Sequence, residues 1–189
     1  RDNGDPIKLL YVSIQMPYKH HIELINAVHE LRKKNISVEL TLIGPRWGWY
    51  SKKIYKLIEK VDPSGVFVRD EGLVPFSRLH FRYSEHDIFV FPSSCENMPN
   101  VLIEAMASGL PIVCSDRGPM PEVLGDGGLY FNPESVDSIV NALEFTIGNK
   151  RIRENKAEKS FLSAQRFSWE KCASNTFAFI ASFENAKSR

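Results

Sequence analysis

Two glutamates with seven residues between them, Glu96 and Glu104, are the side chains with the clearest chemical potential in this sequence. Glu96 lies in a polar loop after an apolar run that stops at Pro92, and Glu104 lies in a helix predicted to begin near Pro99. The start of a helix carries unpaired amides and a partial positive charge, so it can hold a phosphate. Carboxylates on either side can accept hydrogen bonds from sugar hydroxyls. This one segment could therefore hold a diphosphate and the hydroxyl groups that flank it.

Alternating apolar runs and amphipathic helices must position this segment. The predicted strands are the runs 7–13, 38–43, 66–68, 88–91, 112–115 and 129–131. Most of them are apolar throughout, which is typical of a parallel sheet covered on both faces. We therefore predict an α/β fold, with a doubly wound, Rossmann-like parallel sheet in a three-layer α/β/α sandwich. Ligands of such sheets bind outside the carboxyl ends of the strands. Four residues are expected to follow strands, so that their loops lie at that edge: Ser13, Gly44, Arg69 and Pro92.

The composition and charge of the chain limit its class. Its 189 residues suit one domain, and its net charge of +1 predicts no strong attraction to nucleic acid or to an anionic membrane. No apolar run reaches the ~18 residues of a membrane span and no signal-peptide pattern is present, so neither a span nor export is predicted. The three cysteines, Cys95, Cys114 and Cys172, favour a reducing compartment and hence a cytoplasmic location.

The spacing of other reactive side chains disfavours several other chemistries. His20-His21 and Glu85-His86-Asp87 contain metal-binding residue types, but neither has a third partner at a recognised ligand spacing, so no metal ion is expected. The sequence has neither Gly-x-Gly-x-x-Gly nor a Walker motif, which disfavours a dinucleotide oxidoreductase and a P-loop enzyme. The aromatic segment 44–50 is interpreted as a loop packed on its own surface or on a partner domain, in preference to a ligand-facing loop.

The block from Asp87 to Val123 resembles the donor-binding half of family-four retaining glycosyltransferases, which have the GT-B architecture. It contains Glu-x7-Glu, then Ala-Met-Ala-Ser-Gly-Leu-Pro-Ile-Val-Cys-Ser-Asp, then Pro121-Glu122-Val123. The resemblance extends more faintly over nearly the whole chain. It implies transfer of a sugar, with retention, from a nucleotide-diphosphate sugar to a glycan or lipid-linked acceptor. A uridine donor is favoured over guanosine by its frequency in the family, and no cofactor is implied.

The resemblance also implies a role for each residue that matches a family position. Glu96 resembles the glutamate that supports the reacting centre of the donor sugar, and Lys19 resembles the lysine that holds the donor phosphates. These two are the predicted catalytic residues. Glu104 resembles the glutamate that accepts hydrogen bonds from the ribose. The other predicted donor-binding residues are Ser13, Gly44, Leu73, Asn97, Met98, Asn100 and Val101. The amides of Asn100 and Val101, expected to be free at the helix start, are the candidates for the diphosphate.

The sequence departs from the family pattern in two ways that bear on the diphosphate. Ile14 stands where the family has the arginine of Arg-x4-Lys. Either Lys19 and the helix amides neutralise the diphosphate alone, or another cation such as Arg46 substitutes. The segment Asn97-Met98-Pro99 stands where the family usually has Gly-Phe-Gly, and Pro99 has no N–H to donate.

Residues 1–189 are predicted to form one nucleotide-sugar-binding domain of a transferase about twice this size. Residues 1–6 are interpreted as a residual linker, and the terminal helix 168–189 is expected to pack on a missing amino-terminal acceptor domain. The predicted partners are a nucleotide sugar and that domain, with no nucleic acid. Peripheral membrane association through the missing half is left open. Two alternative functions are also left open: a nucleotide-sugar isomerase of the same architecture, and a binding module without chemistry.

Overall fold

Six strands form one parallel sheet in the computed structural model, which describes residues 5–186 and the side chains up to residue 183. The strands are β1 (Ile7–Val12), β2 (Val38–Ile43), β3 (Val68–Gly72), β4 (Ile88–Phe91), β5 (Ile112–Ser115) and β6 (Gly128–Phe131). Their order across the sheet is β3-β2-β1-β4-β5-β6, and every neighbouring pair is parallel. The predicted doubly wound sheet is confirmed.

Helices cover both faces of this sheet. They are α1 (His21–Lys33), α2 (Gly48–Val61), α3 (Phe76–Ser84), α4 (Asn100–Ala107), α5 (Met120–Leu124), α6 (Val136–Gly148), α7 (Lys150–Ala164) and α8 (Trp169–Ala186). Two short 3-10 turns occupy Pro17–Lys19 and Gly125–Gly127. Helix α1 packs on α2 and α6, and α4 packs on α7. The result is the predicted three-layer α/β/α sandwich.

The strands at the centre of the sheet are apolar along their whole length because helices cover them on both sides. Every residue of β4 and β5 is buried. Fully burying a side chain the size of Phe89 contributes about 1.5–3 kcal/mol to stability. These strands hold the loops that follow them at fixed positions on the carboxyl edge of the sheet.

Strand β3 differs from its prediction, which placed the strand at 66–68 and Arg69 in the loop after it. The strand instead begins at Val68 and continues through Arg69 and Asp70 to Gly72. The reason is its position at the edge of the sheet, where it pairs only with β2 and leaves alternate side chains in water. The expectation that Arg69 follows the strand is therefore wrong, because Arg69 lies within β3 and the loop begins after Gly72.

Helix α8 contacts little of the rest of the domain. None of its side chains described up to residue 183 is buried. Its large apolar side chains are more than half exposed: Trp169, Phe177, Phe179, Ile180 and Phe183. Residues 1–4 of the predicted linker and residues 187–189 of the predicted terminal helix lie outside the described residues.

Candidate active site

The strand order reverses between β1 and β4, and we call the region outside the carboxyl ends of these two strands the crevice. The loop after β1 and the loop after β4 are joined there. The Ser94 amide donates to the Tyr18 carbonyl oxygen over 2.9 Å, and Ser94 Oγ lies 2.8 Å from His20 Nε2. Open α/β sheets bind their ligands at such a point of reversal. The segment singled out from the sequence therefore lies at the expected place.

Lys19 and Glu96, the two predicted catalytic residues, form an ion pair in this crevice although they are 77 residues apart in the sequence. Their side chains are only 11% and 15% exposed. Lys19 ends the 3-10 turn after β1, and the Tyr11 hydroxyl donates to its carbonyl oxygen over 2.8 Å. His20, in the left-handed region at φ 51°, then turns the chain into α1. The fold thus fixes a buried cation and an anion at the mouth of the crevice.

The start of α4 offers fewer free amides than the sequence predicts. Pro99 has φ −80° and ψ 73°, the conformation of an inverse γ-turn, so the Asn100 amide donates to the Met98 carbonyl oxygen over 2.9 Å. The expectation of a free Asn100 amide is therefore wrong. The Val101 amide has no hydrogen-bond partner among the described residues. Asn97 and Met98 are exposed in the loop before the helix.

Glu104 is held by a tyrosine that sequence reasoning missed as a partner. The Tyr83 hydroxyl, on α3, donates to Glu104 Oε2 over 3.0 Å. Burial, with the nearby Glu104 charge, raises the pKa of Tyr83 well above its ordinary value, so it remains a donor at neutral pH. A cavity of about 560 Å³ lies between α3 and α4, and Glu104 is part of its wall. Nothing in the spacing along either helix indicates that these two polar atoms meet.

The ends of β1, β2 and β3 approach so closely that Gly44 has to be glycine. Its φ is +144°, and a Cβ there would stand 2.0 Å from the Ser13 carbonyl oxygen. The Gly44 amide donates to the Gly72 carbonyl oxygen over 2.8 Å. Ser13 is buried, and its hydroxyl donates to the neighbouring Ile14 carbonyl oxygen over 3.0 Å. Gly44 and Ser13 therefore shape the edge through backbone, as a close approach to a ligand requires.

A polar network beside Gly44 links three strand ends, and no pattern in the sequence predicts it. Asp70 Oδ2 accepts from Gln15 Nε2 and from Arg46 Nε, each over 3.0 Å. The Asp70 carbonyl oxygen accepts from Arg46 Nη2 over 3.0 Å. Arg46, the alternative cation for the position of Ile14, is thus already paired with a carboxylate. Leu73, one of the predicted donor-binding residues, follows β3 directly and is 77% exposed.

The His21 ring adds no positive charge to the crevice. Burial lowers the pKa of His21 to about 3, so this ring stays neutral. Among residues 5–186, no group of three or more His, Cys, Asp or Glu side chains could hold a metal ion. In the same part of the chain, no helix is long and apolar enough to cross a membrane.

The fold and the crevice define a doubly wound ligand-binding domain, and comparison with known proteins identifies its family. Residues 1–163 match the family described as glycosyl transferases group 1. The chain is 33% identical over 168 residues to O-antigen chain mannosyltransferase B of Escherichia coli, covering 88% of this chain and 44% of that protein. It is 27% identical over 173 residues to a sulfoquinovosyl transferase of Arabidopsis thaliana, covering 88% and 32%.

Two solved structures share this fold. HepE of Anabaena, solved with UDP and glucose, superposes with a TM-score of 0.84 at 19% identity, covering 94% of this chain and 49% of that one. The C-terminal domain of a group 1 glycosyl transferase from Francisella tularensis superposes at 0.73 and 19% identity, covering 86% and 87%. The chain belongs to the group 1 glycosyl transferases, as its resemblance predicts. It spans less than half the length of the curated relatives named above.

Proposed function

We propose that this chain is the donor-binding domain of a retaining glycosyltransferase. It would transfer a sugar from a nucleotide-diphosphate sugar, with UDP-sugar the favoured donor, to a glycan or lipid-linked acceptor. The observation that carries the proposal is the largely buried ion pair Lys19–Glu96 at the point of strand reversal, together with the free Val101 amide at the start of the helix that follows β4. Family membership supports the reaction class, and HepE, solved with UDP and glucose, supports the choice of donor.

Charge develops on the departing diphosphate as the bond between the sugar and the phosphate breaks. Lys19 Nζ and the Val101 amide would stabilise that charge from fixed positions, which requires no reorganisation during the reaction. When the donor binds, Lys19 would shift from Glu96 towards the phosphate oxygens. Glu96, released from part of its pairing, would then accept a hydrogen bond from the sugar and orient it.

The second carboxylate would hold the ribose. Glu104 Oε2 is occupied by the Tyr83 hydroxyl, while Oε1 has no hydrogen-bond partner among the described residues. Oε1 is therefore the oxygen that would accept from the ribose hydroxyls. Because Tyr83 is buried, it fixes the rotamer of the carboxylate and reduces the entropy that ribose binding would otherwise cost.

The proposal also includes the metal requirement, the partner domain and the cellular location of this chain. No metal ion is assigned a role, because Lys19 and the helix amide supply the positive charge. The exposed apolar face of α8 is proposed to pack on an amino-terminal acceptor domain, since more than half of each large apolar side chain would otherwise stay in water.

The unpaired cysteines of the chain support its placement in the reducing cytoplasm.

The experiment that tests the proposal is titration calorimetry of this chain with UDP and GDP, with and without EDTA. We expect weak, saturable binding that EDTA leaves unchanged, because the diphosphate is held by protein groups. A related C-terminal domain from Francisella tularensis was crystallised by itself, which supports work on the domain alone. Loss of binding in EDTA would overturn the metal-free proposal, and absence of binding in both buffers would overturn the function.

Separate substitutions of the two glutamates are expected to have different effects. Glu104→Ala should weaken UDP binding by about 1.5–3 kcal/mol, because it removes a charged acceptor for the ribose. Glu96→Ala should leave UDP binding unchanged or tighter, because it frees Lys19 for the phosphates, but should weaken binding of the complete UDP-sugar. Both variants are titrated with UDP and with a UDP-sugar. Equal losses of UDP affinity in the two variants would contradict the assignment.

A further inference from the structure

The direction in which the nucleoside runs follows from the groups assigned under the proposed function, on which this inference rests. The diphosphate lies at Lys19 and the start of α4. Glu104 faces α3 through the Tyr83 hydroxyl, and the preceding residue on α3, Arg82, forms an ion pair with Glu71 on β3. A nucleoside whose ribose contacts Glu104 therefore extends towards the ends of β2 and β3, away from β5 and β6. Its base would lie where the loops after those two strands meet.

Arg46 is the charged side chain fixed at that meeting point. It lies two residues after Gly44, which follows β2, and it reaches across to β3. Its Nε donates to Asp70 Oδ2 and its Nη2 donates to the Asp70 carbonyl oxygen, each over 3.0 Å. The guanidinium lies against Gly72, because a Cβ at residue 72 would stand 3.4 Å from both its Cζ and its Nη2. Contacts on two sides thus fix the plane of this side chain.

Asp70 is held by further hydrogen bonds that do not involve Arg46. Its Oδ1 accepts from the Gly72 amide and its Oδ2 accepts from Gln15 Nε2, each over 3.0 Å. The Asp70 side chain is only 15% exposed, whereas that of Arg46 is 57% exposed. A largely buried carboxylate that accepts three hydrogen bonds therefore holds a guanidinium that is open to the solvent. An ion pair that serves only solubility does not require its guanidinium to be held in one orientation, whereas a binding site does.

The Nη1 atom of Arg46 has no hydrogen-bond partner among the described residues. Arginine can only donate, so this free edge selects acceptors. A phosphate oxygen is a poorer candidate than the base, because Asp70 already balances the charge of the guanidinium and Lys19 serves the diphosphate. What remains at this end of the crevice is an acceptor on the base itself.

We propose that Arg46 is a specificity-determining residue that donates from Nη1 to a keto oxygen of the donor's base, O4 of uracil or O6 of guanine. Cytosine and adenine carry an amino donor at the same position, so the guanidinium would meet a donor and the base would be disfavoured. Asp70 is the positioning residue that holds Arg46 in place. Uracil and guanine both carry a keto oxygen at the position concerned. The ligand pairs used in the test distinguish between the two bases.

The test is titration of this chain with two matched pairs of ligands, UDP against CDP and inosine diphosphate against ADP. Each pair differs at the keto or amino position. We expect the keto member of one pair to bind roughly tenfold to a hundredfold more tightly, since a site built for a hydrogen bond strongly rejects a ligand that cannot make it. The pair with that ratio identifies the base as pyrimidine or purine.

Arg46→Met is expected to reduce that ratio to near one by weakening only the keto member of the pair. Arg69→Met is the matched control, because Arg69 lies next to Asp70 on β3 but on the opposite face of the strand. Its side chain is 59% exposed and pairs with Glu39 on β2 at 3.5 Å. It should leave the ratio unchanged. Asp70→Asn should lower the ratio less than Arg46→Met, and circular dichroism checks that each variant is folded.

The outcomes separate the two levels of the proposal. If the affinity ratio of the keto ligand to the amino ligand is unchanged in Arg46→Met, the role of Arg46 is overturned and the donor-binding function is unaffected. Equal weakening of all four ligands by Arg46→Met, with recovery in Arg46→Lys, assigns Arg46 to the phosphates and also overturns the base-reading role. If no diphosphate binds the folded wild-type chain, the proposed function itself fails.

Discussion

Replacing Lys19 by methionine is expected to weaken binding of UDP by about tenfold to a hundredfold, because a hydrogen bond to a charged group contributes about 1.5–3 kcal/mol. Lys19 is the cation that the fold buries at the crevice, and His21 beside it stays neutral. The remaining donor for the phosphates would be the Val101 amide. Calorimetry with UDP measures the loss, and Lys53→Met is the control, since Lys53 lies on the exposed side of α2 over the Trp49 ring.

The same substitution is expected to destabilise the fold, which provides an independent measure of the pair. Removing Lys19 leaves Glu96, 15% exposed, without its charged partner, at a cost of about 1–3 kcal/mol. Glu96→Gln in the same chain should restore part of that stability without restoring UDP binding. Urea denaturation of the two single variants and the double variant forms the required cycle. Additive losses of stability would mean that the pair contributes little.

Most of the sheet could be predicted from the sequence because its central strands are covered on both faces. β4 and β5 are apolar at almost every position, and this pattern has few alternative interpretations. β3 could not be placed correctly, because a strand that pairs on one side only leaves polar side chains such as Arg69 in water. Three consecutive charged residues followed by a glycine resemble a turn when they are judged by composition.

The residues of the candidate site could be predicted from the sequence, but most of the hydrogen bonds between them could not. The resemblance indicated Lys19 and Glu96, and the structure brings them together. The inverse γ-turn at Pro99, which occupies the Asn100 amide, depends on a ψ angle that no residue type dictates. Contacts between distant elements, such as Tyr83 with Glu104, depend on how the helices are packed, and one sequence carries no signal for that packing.

The 189 residues by themselves are expected to transfer no sugar. Each group assigned here, from Lys19 to Glu104, holds the donor, and the chain spans less than half of the length of the mannosyltransferase it matches. Holding an acceptor hydroxyl against the anomeric carbon can supply roughly 7–11 kcal/mol of the barrier reduction. Without that contribution, the acceleration should be too small to detect as transfer, and slow hydrolysis of the donor should be the most that is seen.

The measurement is product formation from a labelled UDP-sugar with glycan and lipid-linked acceptors present. Donor binding alone lowers no barrier unless the contacts strengthen in the transition state, so a chain that binds UDP well can still be inactive. Joining the chain covalently to an amino-terminal acceptor domain should restore transfer, because the acceptor is then positioned, and Glu96→Ala should abolish the restored activity while leaving UDP bound. Robust transfer by the 189 residues would instead place the acceptor site within them, and the exposed face of α8 would then need a different partner from the one proposed.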